Sequence, residues 1–187
     1  HSTHAAAFDR IMAALDKAEE IDPELDGLRT ARAQVLLVQG KMEEGNAVLQ
    51  ETVRQFPDRV EPALLLGQLA LQQNDLQGAA KALEAAAKAD PTRGDVRELM
   101  GMVCMSTGNW SPCIDSLVAG LEGAPEDGVI RFQLASAYRE SGQGEKAQVV
   151  LAEHVERFPK DATGHLLLAQ LYLDRGEAER ALTSVEK

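Results

Sequence analysis

The side chains that could hold a metal or attack a substrate are few in this chain. Its histidines are His1, His4, His154 and His165, and its cysteines are Cys104 and Cys113. None falls into the H-E-x-x-H or C-x-x-C spacings that set two ligands on one helical face or one tight turn. His154 and His165 sit at positions that can approach one another, but a zinc site needs at least a third protein ligand. The expectation is therefore no metal and no cofactor. Serine, aspartate and glutamate are plentiful, yet they scatter over helical patterns in the manner of a solvated surface. Gly40, Gly142 and Gly144 follow helical runs and not strands, which makes them turn residues and not phosphate loops. No catalytic residue is assigned, and the chain is expected not to be an enzyme.

The two cysteines are nine residues apart and fall in the two helices of one hairpin. The plainer expectation is a pair of buried free thiols acting as small hydrophobes. A disulfide would need Cβ atoms about 3.5–4.5 Å apart, which spacing alone does not establish. If bridged, the pair points to an oxidising compartment.

The elements that position these residues follow one period. Pro23, Pro57, Pro91, Pro125 and Pro159 are each 34 residues from the next. Proline cannot donate the next helical hydrogen bond, so each closes a unit. Ala33, Gly67, Gly101, Ala135 and Ala169 share the period, as do Gly45, Ala79, Cys113, Ala147 and Ala181. These two rows of small residues predict hairpins whose helices meet backbone to backbone. Gly40, Asn74, Gly108, Gly142 and Gly176 mark the turns, where the left-handed conformation favours glycine and then asparagine. Leu15, Leu49, Leu83, Leu117, Leu151 and Val185 are large apolar residues expected to fill the core between units. Pro62 and Pro112 lie in first helical turns, where no amide partner is lost. Helices are predicted over 5–20, 26–38, 43–55, 60–72, 77–89, 94–106, 111–122, 128–140, 145–157, 162–174 and 179–186, about eleven in an all-α chain.

Composition agrees with that class. Hydrophobic residues make up 44% and aromatics 4%, which suits closely packed helices and argues against an aromatic-rich β-sandwich. A net charge of −11 makes the average surface repel phosphate backbones, so no nucleic-acid partner is expected. No apolar run is long enough for membrane insertion. The opening residues HSTH read as a tag remnant or the interior of a longer protein, so a missing signal says nothing about the native product.

These rows resemble the tetratricopeptide repeat, whose pattern is W-x₂-L-G-x₂-Y, then A-x₃-F, then P. One unit carries Ala63, Leu66, Gly67 and Ala70, then Ala79 and Leu83, then Pro91. Another carries Leu134, Ala135 and Tyr138, then Ala147 and Leu151, then Pro159; a third has Leu168, Ala169 and Tyr172, then Ala181 and Val185. Gly108-Asn109-Trp110 looks like the family's turn. Arg32 replaces an expected leucine, and His154 an expected small residue (compare Ala18, Ala86 and Gly120). The resemblance implies a right-handed α-solenoid. It divides residues 1–187 into a single array: a partial unit over 5–25, full units 26–59, 60–93, 94–127 and 128–161, and a truncated unit 162–187. Both ends look cut and not capped, which suggests a longer array or self-association through the ends.

In such arrays the first helices line a groove, and the resemblance implies a partner-binding surface of Gln34, Leu64, Gln68, Leu71, Met102, Met105, Phe132, Arg139, Leu166, Gln170 and Leu173. The second, fifth, sixth and ninth places of the units hold no lysine or arginine, so a carboxylate clamp for a chaperone tail is not expected. An apolar, amide-rich groove suits a neutral, basic or amphipathic peptide or helix. Several of these leucines can equally pack between neighbouring first helices. The expected function is a non-catalytic scaffold or adaptor. The alternative is an accessory segment of a larger enzyme or envelope secretion machine. The alanine-rich units are bacterial in style, and the compartment stays open between cytoplasm and envelope.

Overall fold

The computed structural model describes residues 2–23, 25 and 27–186, with side chains from residue 6 onward. Expectations that fall on His1, Asp26, Lys187 and the side chain of His4 lie outside the described residues. Among the described residues there are eleven helices and no strand: α1 (Ser2–Ile21), α2 (Leu28–Val38), α3 (Met42–Gln55), α4 (Val60–Gln72), α5 (Leu76–Ala89), α6 (Gly94–Thr107), α7 (Ser111–Gly123), α8 (Gly128–Glu140), α9 (Gly144–Arg157), α10 (Ala162–Asp174) and α11 (Ala178–Val185). Contacts gather them into two compact units, one through Asp90 and one from Pro91 onward.

The turn row adopts the backbone its residue types require. Gly40, Gly108, Gly142 and Gly176 have φ of 79°, 69°, 78° and 75°, and Asn74 has φ of 58°. Asparagine tolerates this region best among residues with a Cβ. Opposite ends of several helices are closed by aspartates. Asp75 accepts from Gly78 N, Asp127 from Val129 N and Ile130 N, and Asp161 from Thr163 N, satisfying amides that a helix start leaves free.

In the first unit the small rows bring helices together. A Cβ on Gly67 of α4 would lie 2.7 Å from Leu83 Cγ of α5, and one on Gly45 of α3 would lie 2.7 Å from Leu37 Cγ of α2. Ala33, Leu49 and Leu69 form a core with Leu37, Val48, Leu65 and Leu66 packed around it. Full burial of a leucine such as Leu83 stabilises by about 2 kcal/mol. Arg32, the departure from leucine, pairs with Asp16 and Glu19 of α1, each at 2.8 Å. The longer side chain therefore ties α2 to α1.

In the second unit one core joins Ile114, Leu117, Ile130 and Leu134, and another joins Ala147, Leu151, Leu168 and Tyr172. His154 is buried, and its size is accommodated by glycine: a Cβ on Gly164 would lie 2.5 Å from His154 Cδ2, and one on Gly128 would lie 3.3 Å from its Cε1. Its Nε2 meets Asp161 Oδ2 at 2.8 Å, and this hydrogen bond holds the Asp161 carboxyl below the usual range. At the fourth place of the last three repeats, the side chain reaches back to the preceding proline turn. Arg97 donates to Thr92 O, Arg131 to Pro125 O, and His165 Nε2 contacts Pro159 O at 3.1 Å.

Three expectations need correction. Cys104 and Cys113 are joined in a disulfide, not free, because α6 and α7 bring their Cα atoms to 6.6 Å, within bridging reach. Gly101 does not meet a partner backbone, since a Cβ there would find nothing within 4 Å. Val185 is 54% exposed, with no helix packed over it among the described residues.

Candidate interaction surface

Helix α6 buries Val96, Met100, Val103 and Cys104 along one stripe. Its other side carries Met102 and Met105, three residues apart and so on one face, 46% and 72% exposed. They are the exposed large apolar side chains of this helix, and methionine adapts to irregular partners. Helix α10, ATGHLLLAQLYLD, is apolar almost all round, so it cannot bury every leucine. Leu166 and Leu173 face outward with the exposed Gln170 between them in sequence.

The remaining candidates divide. Gln34 and Gln68 are exposed on α2 and α4, and Leu71 is half-buried. Arg139 is exposed but pairs with Glu140 at 2.9 Å, which reduces its use as a lone base. Leu64 is buried in the first unit, and Phe132 sets its ring edge against His154 with centroids 4.6 Å apart. Packing thus occupies both side chains. Within the second unit the structure sets Met102 and Met105 along one cleft, and it brings Phe132 into the core beside Leu168 and Tyr172.

That cleft, of about 270 Å³, lies among α6, α7 and α8. Its walls include Gly101, Met102, Met105, Trp110, Cys113 and Ser116. It exists because the small pair of this unit does not close: Gly101 stands clear of α7 where Gly67 touches α5. Arg97 Nε reaches Gln133 Oε1 at 3.3 Å, linking α6 to α8 beside it. A larger cleft in the first unit, about 620 Å³, has mixed walls, with Val53, Leu66 and Leu69 beside Asn46, Gln50, Gln73 and Lys81.

Trp110 and Ser116 carry weight that the pattern reading missed. The 34-residue register aligns Ser116 with Val48, Ala82, Val150 and Ser184, so the row is polar at two of these places and did not single Ser116 out. Trp110 reads as a turn residue until the open hairpin gives its ring a wall to form. No three metal-ligating side chains gather among the described residues, and none of the described helices is long and apolar enough to cross a membrane.

Two family models, both described as tetratricopeptide repeat, match residues 30–93 and 114–171. No curated protein matches in sequence. Among solved structures, the chain is similar to a chain in the structure of Naa15/Naa10 bound to HypK-THB, at a TM-score of 0.73 and 21% identity over 99% of this chain and 29% of that one. It is similar to YrrB, a protein with an unusual peptide-binding site, at 0.59 and 20% over 92% and 89%. It is also similar to MamA from Desulfovibrio magneticus RS-1, at 0.53 and 22% over 84% and 89%. At these identities the likeness is one of fold.

Proposed function

Since this chain belongs to the tetratricopeptide repeat family, we propose that it is a non-catalytic scaffold that binds a peptide or helix of a partner protein on the exposed face of α6. The observation that carries this reading is the exposed pair Met102 and Met105 beside an apolar cleft. Two such side chains in water gain roughly 25 cal/mol per Å² when a partner covers them. The same fold carries a peptide-binding site in YrrB. Leu166, Gln170 and Leu173 of α10 extend the surface, and the exposed glutamines Gln34 and Gln68 suit a peptide backbone. With a net charge of −11, a neutral or basic partner is favoured over nucleic acid. The 34-residue register runs unbroken through Pro91, so we take all units as one array. The bridge between Cys104 and Cys113 favours an oxidising compartment.

The test compares wild type with Met102→Glu and Met105→Glu in capture from source-cell lysate, followed by titration of each captured protein. Both variants should stay fully helical, because the substituted side chains lie outside the core. A partner held by wild type and weakened at least tenfold in both variants supports the surface. Equal affinity for wild type and both variants overturns it. Phe132→Glu is unsuited to this comparison, since loss of the His154 contact should unfold the second unit.

A further inference from the structure

Both cysteines of the chain are joined in the Cys104–Cys113 bridge, so no thiol remains to react with an oxidant. Thioethers are then the readily oxidised groups that remain, and exposure decides which of them react. The five methionines are graded in that respect. Met105 is 72% exposed, Met102 46% and Met42 37%, whereas Met12 is half-buried and Met100 is 4% exposed. Met105 and Met102 share one face of α6, the face to which the partner is assigned. The 34-residue register shows that polar side chains are accepted at these two places. Gln34, Gln68, Ser136 and Gln170 align with Met102, and Arg139 aligns with Met105. All five are exposed on intact helices.

We propose that Met105 and Met102 form a peroxide-sensitive modification site, whose conversion to methionine sulfoxide releases the partner from α6. The proposal rests on the binding surface assigned to α6 and names how that surface is regulated. In the step, a thioether lone pair attacks one oxygen of a peroxide and the O–O bond breaks. The proton of the attacked oxygen passes to the departing one, which leaves hydrogen peroxide as water. Sulfur loses two electrons and the peroxide gains them. The side chain changes from flexible and apolar to polar, with an oxygen that accepts hydrogen bonds. A partner that covers it by apolar contact then strips water from an acceptor without replacing the lost bond. The core behind α6 is untouched, because a sulfoxide at Met102 is a neutral polar group where four other units carry glutamine or serine. Met100, on the buried stripe of the same helix, stays unmodified while the protein is folded. Methionine sulfoxide reductases reverse the change, with a dithiol supplying the two electrons.

The test treats the native protein with graded hydrogen peroxide and reads the added oxygen at each methionine by peptide mass spectrometry. Met105 should be oxidised first and Met102 next, ahead of Met42, Met12 and Met100, with helical content unchanged when both are converted. Oxidation of Met42, Met12 or Met100 ahead of Met105, or loss of helix as Met105 reacts, overturns the site. The binding arm uses each protein that untreated wild type captures from lysate. Oxidised wild type should hold it roughly tenfold more weakly, the effect of burying an unpaired polar oxygen. Met102→Leu/Met105→Leu keeps the face apolar without an oxidisable sulfur there, and should bind equally before and after peroxide. Met102→Gln/Met105→Gln should match the oxidised protein with no peroxide added. Equal affinity of untreated and oxidised wild type, or loss of binding by the treated leucine variant, overturns the release. If Met102→Glu and Met105→Glu bind as wild type does, the α6 surface itself falls and the release with it. The order of oxidation needs no partner, so the modification site is decided separately from that surface.

Discussion

At the scale of single residues, the two glycines Gly67 and Gly101 occupy the same place in their units and have opposite environments. A Cβ on Gly67 would press on the fully buried Leu83 at 2.7 Å, whereas one on Gly101 would meet nothing. Gly67→Ala should therefore destabilise by about 1–3 kcal/mol through overpacking. Gly101→Ala should stabilise by roughly 0.5–1 kcal/mol, because alanine loses less backbone entropy in a helix. Urea unfolding of both variants checks the pair, and equal signs would contradict the geometry. The His154–Asp161 contact makes a second residue-scale prediction. The Asp161 pKa is depressed on folding, chiefly by its hydrogen bond to His154, so its contribution is complete above the ordinary aspartate value and is lost as pH falls through the depressed one. Asp161→Asn keeps a good helix cap and removes the ionisation. Its stability should fall less steeply than that of wild type across this acid window. Asp95, lowered by Arg93, and Glu177, lowered by Arg180, titrate in both proteins and cancel in the comparison.

At the scale of elements, the disulfide between α6 and α7 compensates for a hairpin with an open interior. Its partner hairpin α4/α5 closes through Gly67, Ala79 and Leu83 and carries no covalent tie. Closing a loop of this length should contribute about 2–3 kcal/mol, mainly by restricting the unfolded chain. Reductant should lower the urea midpoint of the wild-type second unit, and the Cys104→Ser/Cys113→Ser double variant should be insensitive to it. An unchanged wild-type midpoint would remove the bridge from the account. The fourth-place row Arg97, Arg131 and His165 also belongs to this scale, since each reaches the turn that precedes its helix. Their common spacing is plain in the sequence, but their chemistry differs, and only the turn carbonyls they reach reveal one task. Helix positions were legible for the opposite reason: prolines, turn glycines and small residues act locally, through φ and the missing amide, wherever the chain goes next.

At the scale of the whole molecule, the partner-capture prediction made above concerns the second unit. Its exposed methionines and the open side of its first hairpin both belong to α6. The candidate surface was half legible. Met102, Met105, Leu166 and Leu173 could be placed outward because the resemblance implies which places of each first helix face the groove, and helical spacing sets those places on one side. Leu64 and Phe132 could not be separated from them, because whether an apolar residue on that side meets solvent or a neighbour depends on packing. The sequence by itself determined the unit, its 34-residue period, the boundaries of the helices and the left-handed turns, all set by local backbone chemistry repeated in register. Only the tertiary structure decided the cleft beside Gly101, the bridge between the cysteines, the accommodation of His154 by Gly128 and Gly164, and the stranded hydroxyl of Ser116. Each of these depends on the distance between helices, which is set by all the side chains that meet between them.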